Sequence, residues 1–238
     1  MPPPDPTWQQ PAAGYGYPVA QYPAAPADRL RAAVTQRNTT DYVFAFWTAL
    51  GWTILTCGIF GYFVIYQMFK RSVDHNLRRI EVLDSLTALA WERAYAAGRG
   101  EELTPHFHAI GAQINEMRRV AAEFRDPALW TLISAFTGGI GQILGYVFLD
   151  QDLCAHEAAE RSAEEQLAGV LGALGMPVNL PAAPAPKQRH NVGGRVVALL
   201  ASCGVYGLWW QYDLMEEGNA NYRNDWARED ALLLAVGA

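Results

Sequence analysis

The chain carries five histidines and three cysteines in 238 residues, and their spacing limits the chemistry open to them. His106 and His108 stand two apart in a segment with helical periodicity, where side chains at i and i+2 diverge. No cysteine or carboxylate group lies beside them at metal-site spacing, so both read as solvated helix histidines. His75 and His156 each lie just beyond an uncharged apolar run and read as interfacial polar residues. Asp150 and Asp152 could form a carboxylate pair, but directly after an apolar run they read as its boundary with water. Cys57 and Cys203 each precede a glycine inside an apolar run, the setting of a small packing residue rather than of redox chemistry. Three cysteines make no disulfide framework.

Sequences that announce catalysis are missing as well. There is no GxGxxG loop, Walker sequence, GxSxG elbow or HExxH helix. The apolar runs hold no Asp, Glu, Lys or Arg of the kind that marks an ion or proton pathway. No catalytic, cofactor-binding or metal-binding residue is assigned, and neither enzyme activity nor a cofactor is expected. A net charge of -6, a pI of 5.4 and the lack of a basic block argue against a nucleic-acid partner.

The elements that would hold these residues follow a repeat. Thr56 to Tyr62, TCGIFGY, returns as Ser202 to Leu208, SCGVYGL, 146 residues later, with a weaker copy, TGGIGQI, at Thr137 to Ile143. The repeated positions are Thr56, Cys57, Gly58 and Gly61; Thr137, Gly139, Gly141 and Gly145; and Ser202, Cys203, Gly204 and Gly207. Each copy sits near the middle of an uncharged run, and the three runs hold 28, 23 and 17 residues. About 20 residues make one spanning helix, so the runs read as three membrane-embedded units of one design. The offset of 81 that sets Thr56 on Thr137 also sets His75 on His156. Mean hydropathy of -0.03 hides this pattern because the charges are segregated. Trp47, Trp52, Trp130, Trp209 and Trp210 read as interfacial anchors.

Along the chain, residues 1–27 read as a disordered proline-, tyrosine- and glutamine-rich tail without a signal peptide. Residues 28–69 form the first membrane unit, and residues 70–126 an amphipathic helical hairpin. In its first helix Val73, Leu77, Ile80, Leu83, Leu86, Ala90, Ala94 and Ala97 recur at spacings of three and four. Gly98 breaks that helix, and Thr104-Pro105 is expected to open the next. Leu103, Phe107, Ile110, Ile114, Met117, Ala121 and Phe124 then make a heptad seam. Residues 127–175 hold the second membrane unit and its amphipathic helix, 176–191 a proline-alanine linker, and 192–238 the third unit with an acidic C-terminal helix. The last eight residues are too few to span.

Two topologies fit an all-α membrane protein. Three straight spans would place eleven Lys/Arg on one side and seven on the other, a weak bias for the positive-inside rule. Re-entrant hairpins bent at Gly58, Gly139 and Gly204 would leave every polar segment on the cytoplasmic face, and are favoured. Backbone freed at such turns must be satisfied, and Thr56, Thr137 and Ser202 are placed to do so between clustered hairpins.

The pattern [TS]-C-G-[IV]-[FY]-G, followed by aromatics and a polar helix, resembles the bacterial membrane family catalogued as domain of unknown function 4234. Ser202 to Tyr212, SCGVYGLWWQY, carries it best. Thr56 to Tyr66 matches at the front, and the middle copy keeps Thr137, Gly139 and Ile140. The resemblance implies an integral membrane protein and supplies no catalytic residues. We therefore expect a structural, interaction or membrane-organising component of the cell membrane, with a small channel or transport subunit as the alternative. Its partners would be the lipid bilayer and, through the amphipathic helices 70–125 and 150–175, a second copy or another protein.

Overall fold

Each glycine motif turns the chain back on itself. The computed structural model describes residues 25–121, 126–182 and 191–237, and within them the regular structure is helical. Three short helices, α3 (Phe46–Leu55), α6 (Pro127–Phe136) and α8 (Val192–Ala201), each have ten residues. Each runs into a tight turn and returns as a long helix: α4 (Ile59–Ala96), α7 (Ile140–Ala173) and α9 (Tyr206–Val236). Two small helices, α1 (Pro26–Thr35) and α2 (Arg37–Thr40), precede the first hairpin, and α5 (Gly100–Ala121) follows α4. Among the described residues no helix is long and apolar enough to cross a membrane. The uncharged runs are divided at their glycine turns, so the straight-span alternative does not describe this fold.

The long helices hold 38, 34 and 31 residues, about 57, 51 and 46 Å at 1.5 Å per residue. All three start in one apolar cluster and end in another, so they run in the same direction. Near their starts, Val64, Met68 and Phe69 of α4, Tyr146 and Leu149 of α7, and Trp210 and Met215 of α9 close on Phe46 and Ala49 of α3. Toward their ends, Leu83, Leu86 and Ala90 meet Ala163, Leu167 and Leu171, with Leu232 and Val236 of α9. The α5 seam fills this second core: Phe107, Ile110, Ile114 and Met117 are fully buried. Its periodicity is thus satisfied within the chain, between α4 and α7. Leu30 and Ala33 of α1 cover the same core.

Several expectations change. The helix expected from Thr104-Pro105 starts at Gly100 and carries Pro105 inside it. Gly98, at φ 72°, ends α4. Leu103 N–H already bonds the Arg99 carbonyl, and Glu101 and Glu102 favour the start of a helix dipole. The Thr104 hydroxyl donates to the Gly100 carbonyl at 2.8 Å instead of capping. Pro105 lies past the first turn, so α5 carries it without the amide bond its position would otherwise make to the Glu101 carbonyl. The last eight residues are no separate tail: through Val236 they continue α9, whose Leu232 and Val236 enter the core. Pro26 and Ala27, placed in the tail by sequence, open α1, while the rest of that tail up to residue 24 lies outside the described residues, as do Phe124 and positions 183–190 of the linker.

Candidate functional site

Two regions concentrate function-bearing side chains: the hairpin turns and a polar layer between the two cores. In each turn the paired glycine lies in left-handed space, with Gly58 at φ 93°, Gly139 at 96° and Gly204 at 93°. The residue before it is left-handed too: Cys57 at 50°, Gly138 at 60° and Cys203 at 51°. The cysteines are therefore exposed turn-apex residues rather than packing residues. Gly58 N–H bonds Thr53 O while Cys57 N–H bonds Ile54 O, and Gly204 and Cys203 repeat this with Leu199 and Leu200. This is the Schellman pattern that ends a helix.

The hydroxyl before the cysteine joins both arms. Thr56 Oγ1 donates to Trp52 O at 2.8 Å and accepts from Phe60 N–H at 2.9 Å. Thr137 does the same between Ile133 O and Gly141 N–H, and Ser202 between Leu199 O and Tyr206 N–H. Sequence assigned these hydroxyls to neighbouring hairpins, but each serves its own turn, because its two partners lie within four residues of it. Two further motif glycines allow close approach. A Cβ on Gly141 would come within 2.9 Å of the Ile133 and Ser134 backbone, and one on Gly145 within 3.0 Å of the Phe69 ring.

Large apolar side chains flank the three apexes in the open. Ile54, Leu55, Ile59, Phe136, Ile140, Leu200 and Val205 are between 64% and 86% exposed. Of the expected anchors, Trp47, Trp52 and Trp209 are exposed and Trp130 is half-buried, its ring stacked 5.7 Å from Phe69. Trp210 is not interfacial. It is fully buried because its helical position turns it toward Tyr146, with the Arg195 guanidinium 5.6 Å from its ring.

The polar layer lies where α4, α7 and α9 pass from one core to the other. Asp41, just before α3, accepts from His75 Nδ1 at 2.9 Å, Arg78 Nη2 at 2.7 Å and Trp226 Nε1 at 2.5 Å. Burial opposes its charge, but His75, Arg78 and the indole N–H outweigh burial and hold the carboxyl well below the usual range. Arg79 of α4, fully buried, bonds Glu160 and Glu164 of α7 and reaches Glu229 of α9 at 2.8 Å. Arg78 reaches the same Glu229 oxygen at 2.7 Å, and Arg228 pairs with Glu164. Arg71, also buried, donates to the Leu214 carbonyl and to Asn219, whose side chain brackets the Phe44 backbone.

His75 and His156 are not interfacial: both are buried here, with ring centroids 6.4 Å apart. His75 Nε2 lies 3.3 Å from Asp225 Oδ2, and its ring stacks on Tyr222 at 4.1 Å. Burial works against the imidazolium, but Asp225 and Asp41 raise the His75 pKa above the ordinary value. Burial, with the charges of His75 and Arg79, pushes His156 well below it. Burial also pushes Glu160 up to about 7, with Arg79 pulling against it. A ring nitrogen of His75 and one oxygen each of Glu160 and Asp225 lie within 4.8 Å of one another, close enough to hold a metal ion. Asp150 and Asp152, expected at a water boundary, are buried at the near side of this layer. His106 and His108 stay exposed on α5.

Sequence reasoning passed over Asp41, Arg78, Arg79, Glu160, Glu164, Asp225 and Glu229, since single charges on polar helices look solvated. The repeat held a usable signal. The offsets that align the turns also align Arg79 with Glu160 and Asp225, and Leu83 with Glu164 and Glu229. Between the first and third hairpins a cleft of about 260 Å³ is lined by Gly58, Gly61, Tyr62, Gln142, Leu208 and Gln211 among others. No protein-family model, curated protein or solved structure matches this chain.

Proposed function

We propose that this protein is a membrane-organising or scaffolding component that inserts its three helical hairpins into one leaflet of a bilayer. The polar helical body would stay in the adjoining water. The observation that carries this reading is the set of seven large apolar side chains exposed around the three apexes. Exposed apolar surface of this kind marks contact with a membrane or a partner. Short arms of ten residues are about 15 Å long, half of a hydrocarbon core of about 30 Å. The turn hydroxyls and Schellman bonds meet the demand that backbone groups in lipid find partners within the protein. Trp47, Trp52 and Trp209 give the rim amphipathic rings suited to the headgroup level.

Depth-dependent quenching tests the reading. With Cys154→Ser in place, a fluorophore goes on Cys57, on Cys203, or on a Glu101→Cys variant lacking both. In vesicles, apex labels should be quenched more by a nitroxide deep on the acyl chain than by one at the headgroup. The position 101 label should respond to neither. Apex labels that respond no more than position 101 would remove the insertion reading.

A further inference from the structure

Four side chains of the polar layer share an arrangement that its ion pairs do not explain. Neither ring nitrogen of His156 has a hydrogen-bond partner, although the residue is 3% exposed. An unpartnered buried imidazole is costly, so a missing partner is the first thing to look for. His156 Nε2 faces Glu160 Oε2 at 3.5 Å, and His75 Nε2 faces Asp225 Oδ2 at 3.3 Å. A tetrahedral metal ion with ligands about 2.0–2.2 Å away holds those ligands about 3.5 Å apart. Both pairs already have the spacing of one edge of such a tetrahedron.

We infer that His75, Glu160 and Asp225, whose ligand atoms lie within 4.8 Å of one another, hold one divalent transition-metal ion that ties α4, α7 and α9 together, with His156, beside Glu160, closing on it as the fourth ligand. Two imidazole nitrogens and two carboxylate oxygens suit Zn2+, Fe2+ or Mn2+. Four protein ligands leave no open position for substrate, so the ion's role is structural. Asp41 Oδ1 takes His75 Nδ1–H at 2.9 Å, which leaves the Nε2 lone pair for the ion. This is the carboxylate–histidine–metal relation that orients a ligand from behind. The repeat builds the site in register. His75 and His156 are equivalent in the first and second units, and Glu160 and Asp225 in the second and third. Burial of three ligands makes loading part of folding, with the half-buried Asp225 on the outer side.

The test uses the full chain in detergent, stripped with a chelator and titrated with Zn2+ against a chromophoric competitor. Co2+ replaces Zn2+ in a parallel run read by visible absorption. The expected result is one tight ion per chain with a tetrahedral cobalt spectrum. His156→Leu removes a buried imidazole that makes no hydrogen bond and has Glu160 at 3.5 Å as its polar neighbour, so in chelator it should fold and melt at or above the wild-type temperature. It should nevertheless bind Zn2+ more than about 100-fold more weakly, beyond the range seen for outer-shell changes. Asp41→Asn should weaken binding by about 10- to 100-fold. A His106→Ala, His108→Ala variant should bind as the parent does. If the wild type takes up no tight ion, His75 is an imidazolium bridging Asp41 and Asp225 and the inference fails. It fails equally if folded His156→Leu binds as well as the wild type.

Discussion

At the scale of the residue, the turns separate two costs that usually come mixed. A Cβ on Gly58 would meet no atom, so Gly58→Ala is penalised only by backbone conformation at φ 93°. That should destabilise the protein by about 1–2 kcal/mol. Cys57 already bears a left-handed penalty at φ 50°, so Cys57→Gly should stay within about 1 kcal/mol of the parent. Thr56→Val removes both the donor to Trp52 and the acceptor for Phe60, and should cost about 1–3 kcal/mol. Thr56→Ser should be nearly silent, since Ser202 performs the same task in the third turn. Thermal unfolding in detergent ranks the four variants, and a Thr56→Val no worse than Thr56→Ser would contradict the two-armed hydroxyl.

At the scale of the element, α4 and α9 share both apolar cores and are joined through charges between them. Glu229 accepts from Arg37, Arg78 and Arg79 with its side chain fully buried. Burial opposes its ionisation, but Arg79 and Arg78 outweigh burial and depress its pKa below the ordinary 4.5. A carboxyl depressed in the folded state takes up protons more readily when unfolded. Its contribution is therefore complete above about pH 4.5 and is lost as the pH falls through the native value. Glu229→Gln should cost about 1–3 kcal/mol near neutrality, because it weakens three charged hydrogen bonds while Arg37, Arg78 and Arg79 keep Asp230, Asp41, Glu160 and Glu164. It should also flatten the acid limb of a stability–pH curve. An unchanged acid limb would show that Glu229 does not couple the two helices.

At the scale of the whole molecule, three parallel long helices place all turns at one end and the second apolar core at the other. The proposed insertion therefore predicts one sidedness for every polar segment. Single cysteines introduced as Glu101→Cys, Asn179→Cys and Ala227→Cys, in a background without native cysteines, sit on exposed positions of α5, of the linker after α7, and of α9. In sealed vesicles an impermeant reagent should label all three or none. Position 179 behaving differently from 101 and 227 would mean that a run crosses the bilayer, and would end the one-leaflet proposal.

Much of this was legible along the chain because its cause is local. The helical character of α4 and α5 and the turn glycines follow from periodicity, backbone freedom and composition within a few residues. The repeat carried even the equivalence of His75 with His156. What tertiary structure alone decided was which polar residues leave water. Arg79, Glu160 and Glu229 look like ordinary exposed charges until α4, α7 and α9 are brought side by side. Trp210 looks like an anchor until its face of α9 is known. Burial depends on neighbours 64 to 192 residues away, and no local pattern records which charges those neighbours will bring.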